Sequence, residues 1–168
     1  MRRLVSGFFL AVVILGCNSN AATLMTPEER LIYDVNVIDS YLTENNIEAV
    51  KLESGVRYVI KEMGAGPLPT KDNCVRFKYD GYVLYETNFF DSNQTAAGGL
   101  KIALKSLISG MQIGLKQMPV GTKGTVFIPS NLGYGGTPQP GIPGYSILRF
   151  EVEVTGLSSY NSLGDYCN

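Results

Sequence analysis

The chain has 168 residues, which suits one modest domain with extensions at roughly 100 to 200 residues per domain. A formal net charge of −1 supplies no electrostatic footprint for nucleic acid. Histidine is absent, which removes the commonest general base and the commonest metal ligand together, and 19 glycines foreshadow tight turns.

In chain order, residues 1–16 read as a signal peptide. "MRR" is a charged n-region, "LVSGFFLAVVIL" an apolar h-region, and Gly16 a small residue ahead of Cys17. As a helix at about 1.5 Å per residue the apolar stretch spans about 20 Å, short of a roughly 30 Å bilayer core. "ILGC" at 14–17 looks like a bacterial lipobox, implying cleavage before Cys17 and a lipid on its sulfur; ordinary cleavage after "NAA" is the alternative. Two or three acyl chains at Cys17 would anchor the protein firmly. Asn18, following the lipid cysteine, favours the outer membrane over inner-membrane retention. With Cys17 acylated, Cys74 and Cys167 remain in an exported chain, as a candidate disulfide or as two free thiols.

After a tether over 17–25, residues 26–51 form an N-terminal helical segment. Thr26 caps, Pro27 suits the first helical position, and Glu29 completes a Thr-x-x-Glu capping box. Leu31, Val35, Ile38 and Leu42 form one apolar stripe, which either packs on the rest of the protein or meets a second copy as a homodimer.

Residues 52–157 turn to strands. "GVRYVIKEMGAG" alternates Val56, Tyr58 and Ile60; "CVRFKYDGYVLY" places Val75, Phe77 and Tyr79 on one face, with Cys74 on the other. "GTVFIPS" is a third strand ended by Pro129, and "SILRFEVEV" a fourth with Leu148, Phe150, Val152 and Val154 inward. Between the second and third, 107–121 predicts a short helix closed by Pro119 and Gly121. Four or five antiparallel strands and one short helix make an α+β plan, followed by a polar tail over 158–168.

Without histidine no Ser-His-Asp or Cys-His arrangement exists, and no Cys, Asp and Glu cluster has metal-ligand spacing. "GAG" at 64–66 runs into "PLP" and opens no helix, so it is no dinucleotide loop. One reaction needs neither acid nor base. Rotation about an Xaa-Pro bond faces a barrier of about 20 kcal/mol maintained by amide resonance, which an apolar cup weakens by desolvating the charge-separated form.

The stretches "VRFKYDGYV", "FFDS", "LISGMQIGLKQMPVGTKGTVFIPSNLGYG" and "IPGYSILRFEVEV", in this order and spacing, resemble the FKBP-type peptidyl-prolyl isomerases. The whole chain looks like a lipid-anchored bacterial member of that family. The resemblance implies a curved antiparallel sheet wrapped on one short helix, preceded here by the amphipathic helix, with no cofactor.

Carried over residue by residue, it implies a pocket whose catalytic set is Tyr79, Phe90, Asp91, Ile108 (through its backbone N–H), Tyr134 and Phe150. Leu100, Leu107, Met111 and Ile142 would bind substrate, with Leu100 replacing a wall phenylalanine and Met111 a floor that is often tryptophan. Taken singly, these aromatics read as core and Asp91 as a turn residue; only the combination marks a pocket. The implied activity is prolyl isomerisation (rotamase) assisting the folding of exported polypeptides at a periplasm-facing membrane of the bacterial envelope. The alternative is a non-catalytic chaperone or adaptor that grips proline-containing segments.

Overall fold

The computed structural model describes residues 25–159 and Cys167. The expected signal peptide over 1–16, Cys17 and nearly all of the expected tether and tail therefore lie outside the described residues.

Helix α1 (Pro27–Glu44) begins as the sequence directs. Thr26 Oγ1 accepts the Glu29 N–H at 3.2 Å, and the Glu29 carboxylate accepts the Thr26 N–H at 2.9 Å. Two orphan donors are thereby satisfied. Seven strands follow: β1 (Val50–Lys51), β2 (Arg57–Glu62), β3 (Asn73–Val83), β4 (Asp91–Ser92), β5 (Leu100–Ala103), β6 (Lys123–Ile128) and β7 (Leu148–Ser159). All pair antiparallel in the order β1-β2-β6-β7-β3-β4, with β5 also on β3. The α+β class and the curved sheet agree with the sequence reading; β1, β4 and β5 are too short to carry an alternation signal.

The predicted helix over 107–121 shrinks to α2 (Ser109–Leu115). Leu107 and Ile108 are extended ahead of it. At its far end the N–H groups of Gln117 and Met118 bond three residues back, to Gly114 and Leu115. That tightening, and then Pro119, end the helix. Met118 is still fully buried, so the apolar spacing reported burial correctly and helix length wrongly.

Helix α2 lies against β6 at backbone distance. A Cβ on Gly110 would fall 2.2 Å from Ile128 Cγ2, and one on Gly114 2.6 Å from Val126 Cγ1. These two glycines, one turn apart, let the helix sink into the concave face while Met111 and Leu115 join Val126, Ile128, Leu148, Val152 and Val154 in the main core.

The convex face is covered too. Ile38 and Leu42 of α1 pack with Leu84, Phe127 and Ile147, so β6 is buried on both sides. The helix stripe is thus used within the chain, with Leu31 and Val35 half-buried. Its most buried face also includes Arg30 and Asp34, which the apolar pattern passed over. On β2, Arg57 is buried and its guanidinium pairs with Asp39 of α1 at 2.9 Å. Cys74, though on the opposite side of β3 from Val75, is also buried, and it is bonded to Cys167, 5.6 Å away Cα to Cα.

Overpacking at the helix–sheet contact gives the first test. Gly110→Ala should lower stability by about 1–3 kcal/mol, read as a drop in urea midpoint at constant m. An unchanged midpoint would mean that α2 does not sit against β6 at this distance.

Candidate active site

The far edge of β3 is shared, β5 pairing with Cys74–Phe77 and β4 with Asp80–Gly81. Asn93 bridges the gap. Its Oδ1 accepts the Tyr79 N–H at 2.7 Å, its Nδ2 donates to the Phe77 carbonyl at 3.1 Å, and its own N–H donates to the Tyr79 carbonyl at 3.1 Å. This stitch sets Tyr79 beside Asp91, and the Tyr79 hydroxyl donates to Asp91 Oδ2 at 2.5 Å. Asp91 Oδ1 accepts the Ser92 N–H at 2.9 Å, which fixes the carboxylate from the other side.

Around this pair stands an aromatic wall. Phe77 and Tyr79 centroids are 5.5 Å apart, Tyr79 and Phe150 5.9 Å, and Phe90 and Phe150 5.7 Å with their planes at 85°. Edge-to-face contacts of this kind add about 0.5–1.5 kcal/mol each beyond area burial. Gly81 makes room for them: a Cβ there would lie 2.7 Å from Phe90 and 2.8 Å from Phe150.

The wall encloses a cavity of about 240 Å³, lined by Phe77, Tyr79, Phe90, Asp91, Leu100, Ser106, Leu107, Ile108, Met111, Tyr134 and Phe150. That is below the roughly 300–1,000 Å³ of sites for drug-sized ligands, and suits one small ring with its flanking peptide groups. Nine of the ten pocket residues expected from the sequence therefore converge. Ile142 is not among the residues that line the cavity: it is buried under the loop after Tyr134, in a β-bridge with Gln139, in the same core cluster as Met111 and Phe150.

Phe77 and Ser106 were missed. Phe77 shares the inward face of β3 with Tyr79, two residues on, so strand periodicity could have found it. Ser106 ends a short 3-10 turn (Leu104–Ser106) and carried no signal.

Two donors on residues that line this cavity have no protein acceptor among the described residues: the Ile108 N–H and the Tyr134 hydroxyl. Burial, with the Asp91 carboxylate nearby, pushes the pKa of Tyr134 up. Burial likewise raises Tyr79, reinforced by its hydrogen bond to Asp91 and by charge. Both phenols therefore stay protonated at neutral pH; Tyr79 is committed to Asp91, and Tyr134 is free to donate.

The family profile described as FKBP-type peptidyl-prolyl cis-trans isomerase matches residues 66–155. The chain belongs to this family. Over 129 residues it is 34% identical to the FKBP-type isomerase FkpA of Aeromonas hydrophila, covering 76% of this chain and 48% of that one. FkpA of Escherichia coli is 36% identical over 108 residues, covering 64% and 40%. The crystal structure of Escherichia coli FkpA superposes with a TM-score of 0.67 at 28% identity, covering 79% of this chain and 62% of that chain. A peptidyl-prolyl cis-trans isomerase from Pseudomonas syringae gives 0.65 at 25% identity, covering 80% and 98%. The chain spans about half the length of the curated relatives it matches, so the shared part is the FKBP-type domain.

The aromatic wall makes a sharp prediction. Gly81→Ala should push Phe90 and Phe150 apart and cut affinity for a prolyl peptide about tenfold or more, while far-UV circular dichroism stays native. Wild-type affinity in the folded variant would show that the two rings do not form the binding wall.

Proposed function

We propose that this chain catalyses cis-trans isomerisation of Xaa-Pro peptide bonds in exported polypeptides, at a periplasm-facing membrane of the bacterial envelope to which the lipid on Cys17 holds it. The observation that carries the catalytic reading is the aromatic-walled cavity lined by Ile108, whose backbone N–H has no acceptor among the described residues. A prolyl ring seated against Tyr79, Phe90 and Phe150 brings its amide out of water. The charge-separated resonance form, which keeps the amide planar, loses solvation, and the rotational barrier falls. The Ile108 N–H fixes a flanking carbonyl and Tyr134 donates a second hydrogen bond at the rim. No proton is transferred, in keeping with a site whose titratable groups are one carboxylate and two protonated phenols.

The envelope location is supported by the signal-peptide pattern of residues 1–16 and by the Cys74–Cys167 bridge, since disulfides persist in oxidising compartments. Slow prolyl isomerisation limits the folding of many chains, taking tens of seconds unaided, so exported clients suit the enzyme. Of the two envelope membranes, this reading prefers the outer one because of Asn18.

A protease-coupled or exchange-NMR assay on an Xaa-Pro peptide tests the proposal. Wild-type chain should accelerate isomerisation, and Tyr134→Phe should lower kcat/KM about tenfold, the loss of about 1.4 kcal/mol of hydrogen bonding. Peptide binding without acceleration would instead identify a chaperone or adaptor that only grips proline segments.

A further inference from the structure

The loop carrying Tyr134 is held at both ends by one face of α1. Ser130 is fully buried, and its N–H and hydroxyl both donate to Asp34 Oδ2, at 2.8 and 2.5 Å. Its carbonyl accepts the N–H groups of Gly133 and Gly135, at 3.0 and 2.8 Å, and so brackets Tyr134 on both sides. Gly135 in turn accepts the Tyr145 N–H at 2.7 Å. The Arg30 guanidinium lies over the Tyr145 ring, 4.7 Å from its centroid, and its Nη1 stands 3.9 Å from Asp34 Oδ1. A closed circuit therefore runs from Asp34 through Ser130, Gly135, Tyr145 and Arg30 back to Asp34.

Packing alone does not call for this arrangement. Asp34 occupies the most buried face of α1, one turn before Ile38, and has no exposed surface. An apolar side chain there would avoid the desolvation of a carboxylate, and such replacements of buried charge are often neutral or stabilising. What an apolar residue cannot do is receive two donors from Ser130 and so fix the first residue of the loop. Neither Arg30 nor Asp34 lines the cavity, so any effect on the reaction must pass through that loop.

We propose that Asp34, held against Arg30, is a positioning residue for the isomerase site: through Ser130 it sets where the Tyr134 hydroxyl stands at the cavity mouth. Helix α1 then belongs to the enzyme's working parts as well as to its fold. The inference rests on the isomerase reading given above and adds to it a residue remote from the cavity.

A double-mutant cycle on the full chain tests it, with kcat/KM on an Xaa-Pro peptide as the readout. Asp34→Ala should lower kcat/KM about tenfold in the wild-type background but less than about twofold when Tyr134 is already Phe, because the hydroxyl it positions is gone. Equal fold-losses in both backgrounds would overturn the inference and leave Asp34 a purely structural residue. Should Asp34→Ala fail to fold, Ser130→Ala removes one of the two donors and is run through the same cycle, with about a threefold loss expected only where the Tyr134 hydroxyl is present. Amide spectra separate the positioning role of Asp34 from the isomerase activity itself. In the folded variant the Gly133 and Gly135 resonances should move while those of β5 stay in place, and this holds whether or not the wild type turns over peptide. An inactive wild type would reject the isomerase reading, and unmoved Gly133 and Gly135 resonances would reject the positioning role.

Discussion

The close seating of α2 on β6 is the constraint from which the site follows. With glycine at 110 and 114 the helix meets Ile128 and Val126 almost directly, and the sheet curves around it. The chain entering α2 stays extended through Leu107 and Ile108, both of which line the hollow, and the Ile108 N–H has no backbone acceptor. The cavity opens beside the extended entry to this closely seated helix.

The aromatic wall depends on a second small residue. Gly81 lets Phe90 and Phe150 stand edge to face, and the Asn93 stitch brings Tyr79 to Asp91 across the break between β4 and β5. Side chains from β3, β4, β7, the turn before α2 and the loop after β6 are drawn together in this way. Each is separately ordinary, and their convergence is what a water-stripping site requires. The sheet's other face carries a different burden. There α1 adds a second apolar layer and places Arg30 and Asp34 beneath the loop that brings Tyr134 to the rim. Burial raises the Asp34 pKa against the opposing pull of the Ser130 bonds and Arg30, so keeping it charged at neutral pH costs stability. The cost falls away as pH drops through that raised value, because the folded state then binds the proton more readily than the unfolded one.

Much of this was legible in the sequence for physical reasons. The capping box fixed the start of α1, and the alternation of Leu148, Phe150, Val152 and Val154 fixed the inward face of β7. The pocket residues were found by their resemblance to a family, since nothing in periodicity distinguishes Phe90 as a wall from Phe90 as core. Ile142, carried over in the same way, is buried with Met111 and Phe150 but is not among the residues lining the cavity. Ser106 and Asn93 were invisible because Ser106 sits in a short turn with no periodicity, and the Asn93 side-chain amide finds its partners on Phe77 and Tyr79 only once the chain has folded back on β3. Arg30 and Asp34 were passed over because charged residues ordinarily mark the solvent side of a helix, and only tertiary contacts reveal the exception.

Isomerisation at this site requires a prolyl ring in the hollow while a main-chain donor holds its neighbour. A crystal structure of the chain with a bound Xaa-Pro peptide tests this most directly. The ring should rest against Tyr79, Phe90 and Phe150, with a flanking carbonyl within about 3.2 Å of the Ile108 nitrogen. A peptide seated elsewhere, for instance in the groove between Tyr41, Phe127 and Arg149 on the opposite face, would contradict it.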